Sequence, residues 1–203
     1  MIPAPEALET LKEGNRRFVA GESAELHRTH KLVDNQEPFA IVLGCSDSRV
    51  PPEIVFDQGV GDMFVIRIAG NIVTPLELGS VEFAAIKFGP RLVVVLGHSC
   101  CGAVQATIET LASGLTAETA DLSAGMKTIV KHIGVSVELD GVDSDNQLGE
   151  IVESTVEKNV RHSVRAIRRG SSVIKGLIAD EGLMVVGAKY DLATGRVEFL
   201  DCE

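Results

Sequence analysis

The chain has 203 residues, with 29 acidic against 19 basic side chains and a formal net charge of -10. That balance repels nucleic acid and anionic membrane, whose binding needs clustered Lys and Arg. Hydrophobic residues make up 45%, enough for one sizeable core, whereas aromatics are 4% with no Trp and one Tyr, which leaves no stacking platform for bases or sugars.

Four cysteines (45, 100, 101 and 202), two of them adjacent, do not read as a disulfide framework in a chain of this length. Free or metal-bound thiols in a reducing compartment are expected instead. The first residues show no basic segment running into an apolar core, and no apolar run approaches the ~18 residues that span a bilayer. The chain is therefore expected to be cytoplasmic, with no membrane and no nucleic-acid partner.

In chain order, residues 5–20 predict a helix: Pro5 suits a first turn, Leu8, Leu11, Phe18 and Val19 share a face, and Gly21 stops it. The stretch to Asn35 has no clean period, so residues 1–35 read as an N-terminal helical arm on a single domain spanning 1–203. Phe39–Gly44 is an apolar run suited to a buried parallel strand. A short helix is expected over Val50–Phe56, begun by Pro51 and Pro52. Met63–Ile66 predicts a second strand, leading into Arg67–Asn71. Thr74-Pro75-Leu76-Glu77 is a helix start, with a Thr cap, Pro at the first position and Glu three residues after the cap. Leu78, Val81, Ala85 and Phe88 continue its apolar face, and Gly89-Pro90 ends it.

Leu92–Leu96 predicts the next strand, with a helix beginning just past Cys101. Over residues 112–146 the pattern assigns no element, and Asp140–Asn146 reads as a polar break. Gln147–Arg169 is the longest predicted helix, with Leu148, Ile151, Val152, Val156, Val160, Val164 and Ile167 in one stripe. Its early Glu150, Glu153 and Glu157 and its late Arg161, Arg165, Arg168 and Arg169 complement a helix dipole. A further helical pattern covers Ser171–Ala179. Leu183–Ala188 predicts a last buried strand, and Asp191–Arg196 a hairpin turn into Val197–Leu200. Strands alternating with helices predict an α/β fold: a mostly parallel central β-sheet flanked by helices, with an antiparallel C-terminal edge.

Two strand ends carry chemistry. Phe39–Gly44 runs into Cys45-Ser46-Asp47-Ser48-Arg49, and Leu92–Leu96 runs through Gly97 into His98-Ser99-Cys100-Cys101-Gly102. In open α/β sheets ligands bind at such carboxyl ends. Cys45, His98 and Cys101 form a borderline-soft set with room for a fourth ligand, which suits zinc better than magnesium or calcium. The same residues also read as two small buried thiols and a core imidazole. Asp47 and Arg49, two apart in an extended segment, point the same way and can pair beside Cys45. Read otherwise they are a surface ion pair of little energetic weight. No G-x-G-x-x-G follows either strand, which excludes a dinucleotide site of that type.

Cys45-Ser46-Asp47-Ser48-Arg49-Val50 and Gly97-His98-Ser99-Cys100-Cys101-Gly102-Ala103 resemble the two zinc-site signatures of the β-class carbonic anhydrases. The likeness continues through Gly61–Arg67, the Thr74–Phe88 helix and Val186–Asp191, and covers residues 36–200 in order. The resemblance implies one Zn2+ per chain on Cys45, His98 and Cys101, a catalytic dyad of Asp47 and Arg49, and reversible hydration of CO2 to bicarbonate and a proton. In that mechanism zinc lowers the pKa of bound water toward ~7 and Asp47 orients the resulting hydroxide.

By the same resemblance Gly102 offers its backbone N–H to the substrate, Gln36 occupies the place of a CO2-binding Gln in one subgroup, and Phe64 and Ala69 match positions lining the apolar CO2 pocket. Arg67 stands where some members hold a regulatory bicarbonate. The Trp of that pocket is replaced by Val42, which together with Gln36 implies an open site with Asp47 off the metal. A homodimer or dimer of dimers follows, with the 5–20 helix packing on a partner. Two rivals share the same site: hydrolysis of carbonyl sulfide or carbon disulfide, and a non-catalytic bicarbonate-binding zinc protein. Cys100 and Cys202 have no assigned role. His27, His30, His132 and His162 read as surface or capping histidines that could also shuttle protons.

Overall fold

In the computed structural model residues 2–23, 33, 35–139 and 145–202 are described, with backbone alone at 145–148. His27 and His30 lie outside the described residues. The elements are α1 (Ala4–Ala20), β1 (Ala40–Gly44), α2 (Pro52–Val55), β2 (Met63–Arg67), α3 (Pro75–Lys87), β3 (Leu92–His98), α4 (Gly102–Ala112), α5 (Ala124–Gly134), α6 (Asp145–Gly170), α7 (Ser172–Glu181), β4 (Met184–Tyr190) and β5 (Val197–Leu200). A 3-10 turn, Ala69–Asn71, follows β2.

The five strands lie in the order β2-β1-β3-β4-β5. The first four are mutually parallel, and β5 pairs antiparallel with β4. This is the expected α/β sheet with an antiparallel C-terminal edge. Side chains alternate between its two faces. Ile41, Leu43, Val93, Val95 and Val185 bury against Val81, Ala84 and Ala85 of α3, Val160, Val164 and Ile167 of α6, and Ile174 of α7. Ala40, Val42, Leu92, Val94, Leu96 and Ala188 bury on the other face against Ala4, Ala7 and Leu11 of α1 and Val55 of α2. Both faces being covered, β1 and the Leu92–Leu96 part of β3 can be apolar at every position.

Local chemistry sets the helix ends. Thr74 and Glu77 close a reciprocal capping box at the start of α3. Gly21 ends α1 with φ 71, a left-handed conformation that glycine adopts without strain. Two strand glycines let α6 come close: a Cβ on Gly97 would sit 2.5 Å from Val160, and one on Gly187 2.7 Å from it. Val160 thus seats in a notch formed by β3 and β4.

Three expectations are corrected. A helix, α5, lies in the stretch left without an element; Ser123 caps it, and Met126, Ile129, Val130 and Ile133 keep helical spacing over two turns, a short signal that sequence reasoning passed over. Asp145 and Asn146, read as part of the polar break, begin α6. β3 and β4 run on to His98 and Tyr190, because those two residues still pair with each other. One face of α1, with Ala4, Ala7 and Leu11, packs on this chain's own sheet. Asn15 anchors it further, its amide donating to the carbonyls of Val55 and Gly195 and its carbonyl accepting from Val197 N–H.

Candidate metal centre

The strand order places the site. From β1 the chain steps outward to β2, then returns to place β3 on the opposite side of β1. The carboxyl ends of β1 and β3 therefore flank a topological switch point, where open α/β sheets leave a crevice. Cys45 immediately follows β1, His98 is the last residue of β3, and Cys101 caps α4. Their Sγ and ring nitrogen atoms all lie within 4.8 Å of one another. The three residues are buried, at 4%, 0% and 1% exposure.

Each member is oriented by backbone. The Nδ1 of His98 lies 2.9 Å from the Ser99 carbonyl, which assigns the ring proton to Nδ1 and turns the lone pair of Nε2 toward the two thiols. Ser99 is itself pinned, its N–H donating to Tyr190 O and its Oγ accepting from Leu192 N–H. Among the described residues His98 Nε2 is a buried nitrogen without a hydrogen-bond partner. Such an orphan is costly unless something fills its place. The Sγ of Cys45 accepts from Gly70 N–H at 3.3 Å. The two neighbouring thiols titrate as an interacting pair. The Cys101 thiol, donating to Cys45, pulls Cys45 down to about 4, and Cys101 is pushed up by that same contact and by burial. A divalent cation at this point would take both as thiolates, so the donor set and the orphaned imidazole fit zinc.

Asp47 and Arg49 do meet, but through a turn rather than an extended segment. Asp47 Oδ1 accepts from both the backbone N–H and the Nε of Arg49 at 2.9 Å, and Val50 N–H closes onto Asp47 O at 3.1 Å. Arg49 Nη2 donates to Asp47 Oδ2 at 2.7 Å and, more distantly, to Cys100 O. The Arg49 guanidinium holds the Asp47 carboxyl well below the usual carboxylate range. The bonding leaves one direction open. Oδ1 already accepts two N–H groups, Oδ2 accepts one, and Oδ2 is the oxygen that lies 4.0 Å from His98 Nε2. An ionised carboxylate offers about four lone-pair sites, so the remaining one is on Oδ2, the oxygen nearer the cluster. Asp47 itself is not among the converging ligand atoms.

Comparison with known proteins now decides the family. A family model for carbonic anhydrase matches residues 40–197. Carbonic anhydrase 2 of Mycobacterium tuberculosis is 38% identical over 200 residues, which cover 96% of this chain and 92% of that protein. A carbonic anhydrase of Mycolicibacterium smegmatis is 39% identical over 197 residues, covering 95% and 91%. Among solved structures, a tetrameric β-carbonic anhydrase of Sordaria macrospora superposes with a TM-score of 0.73 at 27% identity, covering 85% of each chain. The chain belongs to the β-class carbonic anhydrases. By enzyme class these are carbonate dehydratases, which are lyases.

In this β-carbonic anhydrase the other expected site residues divide into two groups. Near the cluster, Gly102 opens α4 just after Cys101, and Ala69 opens the turn whose next residue contacts Cys45. Arg67 is also close: its Nε donates to Cys45 O at 3.0 Å and its Nη2 to Asp47 O at 2.6 Å, so its guanidinium braces the loop that carries both residues. Gln36 and Phe64, by contrast, line a groove of about 430 Å³ with Glu53, Val60, Gly61, Met63 and Val65, which includes none of the three clustered residues. His132 bonds the carbonyl of Thr128 within α5, and His162 on α6 is lowered by burial and by Arg165.

Sequence reasoning passed over several residues that shape the centre. Cys100 adopts φ 54, with its N–H donating to Glu153 Oε1 at 3.2 Å. Gly70 and Asn71 are both left-handed, at φ 71 and 43. The Gly-Asn pair after β2 is the one signal that pointed there, since both residue types tolerate positive φ.

Proposed function

We propose that this chain catalyses the reversible hydration of CO2 to bicarbonate and a proton at one zinc ion held by Cys45, His98 and Cys101. The observation that carries the reading is the buried, unpartnered Nε2 of His98 facing two thiols, with an Arg-clamped carboxylate beside it. Zinc bound there supplies a nucleophile near neutral pH by lowering the pKa of coordinated water to about 7.

The residues of the chain do the rest. Asp47 stays ionised because Arg49 hydrogen-bonds its carboxylate, so it acts as an acceptor and not as an acid. The remaining acceptor direction on Oδ2 holds the nucleophile's proton away from the substrate and turns a lone pair toward the carbon of CO2. The N–H of Gly102, at a helix start where donors lack helical partners, offers a hydrogen bond to a CO2 oxygen. Ala69 walls the apolar side. Arg49 keeps Asp47 off the cluster, which favours an open site.

Gln36 and Phe64 serve this chemistry only across a subunit contact, since they line a different groove of their own chain. We therefore include a homodimer or dimer of dimers in the proposal. It is supported by the exposed apolar Leu76, Phe83 and Ile86 on α3 and Val60 near the Gln36 groove. The compartment proposed is the cytoplasm, where Cys45 and Cys101 remain reduced. No helix among the described residues is long and apolar enough to cross a membrane.

Stopped-flow CO2 hydration, on protein with measured zinc content, tests the proposal. Activity that is abolished in Cys45→Ala is expected. Zinc-loaded wild-type protein without hydratase activity would overturn it and leave bicarbonate binding or sulfur-analogue hydrolysis.

A further inference from the structure

The 3-10 turn behind Cys45 is held from the far side by α6. Asn159 Nδ2 donates to Gly70 O at 2.8 Å, and Ser163 Oγ, one helical turn later, donates to Asn71 O at 3.0 Å. Both side chains are 1% exposed. A buried amide in an apolar interface is expensive, and Asn159 leaves its own Oδ1 without a partner among the described residues. A leucine there would pack without that cost. The amide is nonetheless directed at a residue whose N–H points to a clustered thiol: Gly70 N–H donates to Cys45 Sγ at 3.3 Å, while Gly70 O, in the next peptide unit across the Gly70 Cα, receives Asn159.

The turn needs outside support. Its two residues are consecutive in left-handed φ, and Asn71 at φ 43 is not a glycine. Gly70 is also confined, because a Cβ there would meet Ile133 Cδ1 at 2.6 Å. The helix that supplies Asn159 and Ser163 also seats Val160 against Gly97, the residue before His98. One face of α6 therefore backs two of the three clustered side chains.

We propose that Asn159, assisted by Ser163, is a positioning residue of the metal centre, holding the Gly70–Asn71 peptide so that the left-handed Gly70 backbone keeps its N–H aimed at Cys45 Sγ. The inference rests on the zinc reading given above. Outer-shell partners of metal ligands change affinity by about 10–100-fold when removed. Asn159→Ala and Ser163→Ala are compared with wild type by competition for Zn2+ with a chromophoric chelator, and by the thiolate-to-metal charge-transfer band after Co2+ loading.

Asn159→Ala is expected to bind Zn2+ about 10–100-fold more weakly and to shift the Co2+ band. Ser163→Ala should do the same to a smaller degree. Folding is checked by circular dichroism, and if Asn159→Ala does not fold, Ser163→Ala carries the test. A lower melting temperature with zinc affinity within twofold of wild type and an unchanged Co2+ band overturns the proposal, because a purely structural contact would behave that way. Wild-type protein that fails to compete for zinc at all overturns the zinc reading itself, and is recognised without any variant.

Discussion

Asp47→Asn separates the chemistry of the site from its fold. The carboxylate accepts three N–H groups from Arg49 and keeps an acceptor direction on Oδ2, the oxygen 4.0 Å from His98 Nε2. An asparagine has one acceptor oxygen. If that oxygen takes the Oδ1 place, the turn survives, because Arg49 N–H and Nε still find an acceptor. The amide nitrogen then replaces Oδ2, faces the Arg49 Nη2 donor, and presents a donor where the nucleophile needs an acceptor. If the amide is flipped, the turn bonds break instead. Either way one directed, charge-assisted hydrogen bond is lost in the reacting centre. The loss of one preorganised donor or acceptor of this kind lowers kcat about 10²–10³-fold. Stability near neutral pH should fall only modestly, since the Arg49 side chain is 55% exposed and solvent weakens the pair. The assay is stopped-flow hydration on protein matched for zinc content, with the melting temperature measured alongside. Activity within threefold of wild type at full zinc occupancy would refute the role given to Asp47.

Other consequences are equally direct. Asp47 has its pKa depressed by the Arg49 hydrogen bond, so its contribution to stability is present above the unfolded carboxylate value of about 3.9. That contribution fades as pH falls toward the depressed value, and the melting-temperature difference between metal-free wild type and metal-free Asp47→Asn should shrink between pH 5 and pH 3. Removing zinc with a chelator should leave a folded chain of lower stability. At a thousandfold excess over Kd a ligand adds about 4 kcal/mol, which for a chain of this length is a fall of about 8–16 °C in melting temperature. Gly14→Ala should be among the costliest single methyl additions, because the new Cβ would lie 1.7 Å from the backbone oxygen of Phe56, which cannot rotate aside. A loss of about 3 kcal/mol or more is expected, and an unchanged melting temperature would contradict the packing of α1.

What the sequence made legible was whatever a short window contains. β1 and the Leu92–Leu96 part of β3 are apolar throughout because both sheet faces are covered, and Cys45 and His98 stand just past those runs. The capping box at Thr74 and Glu77 is likewise complete within four residues. The Cys45, His98 and Cys101 cluster was legible because a strand end and a strand-to-helix turn are local features, even though Cys45 comes from a different strand. The Asp47–Arg49 contact was anticipated for the wrong geometric reason: two residues of an extended segment and two residues of a side-chain-closed turn can both bring i and i+2 together. α5 was legible in principle, since Ser123 is a cap and Met126, Ile129, Val130 and Ile133 keep helical spacing, but the pattern spans only two turns. The backing of the centre was invisible for a different reason. Asn159 and Gly70 are 89 residues apart, and nothing near Asn159 distinguishes an amide aimed at a turn from one on a solvated face.

These two kinds of residue have different duties. The ligand atoms converge within 4.8 Å through sheet register, the Asp47 turn and the left-handed Gly70–Asn71 pair, all made by protein-protein contacts. Gly44 pairs with Leu96, which sets the ends of β1 and β3 side by side before any side chain is considered. Arg67 then braces the Cys45–Asp47 loop from one side, while α6 braces the Gly70 turn and β3 from the other. In a zinc finger the ligands meet only because the ion draws them together, and the apo chain is unfolded. Here the sheet has already placed them, at the cost of a buried imidazole nitrogen without a partner. On the zinc reading, an ion bound there would take both thiols as thiolates and meet His98 Nε2, and because the surrounding contacts are made by protein alone, chelation is expected to cost stability and activity without unfolding the chain.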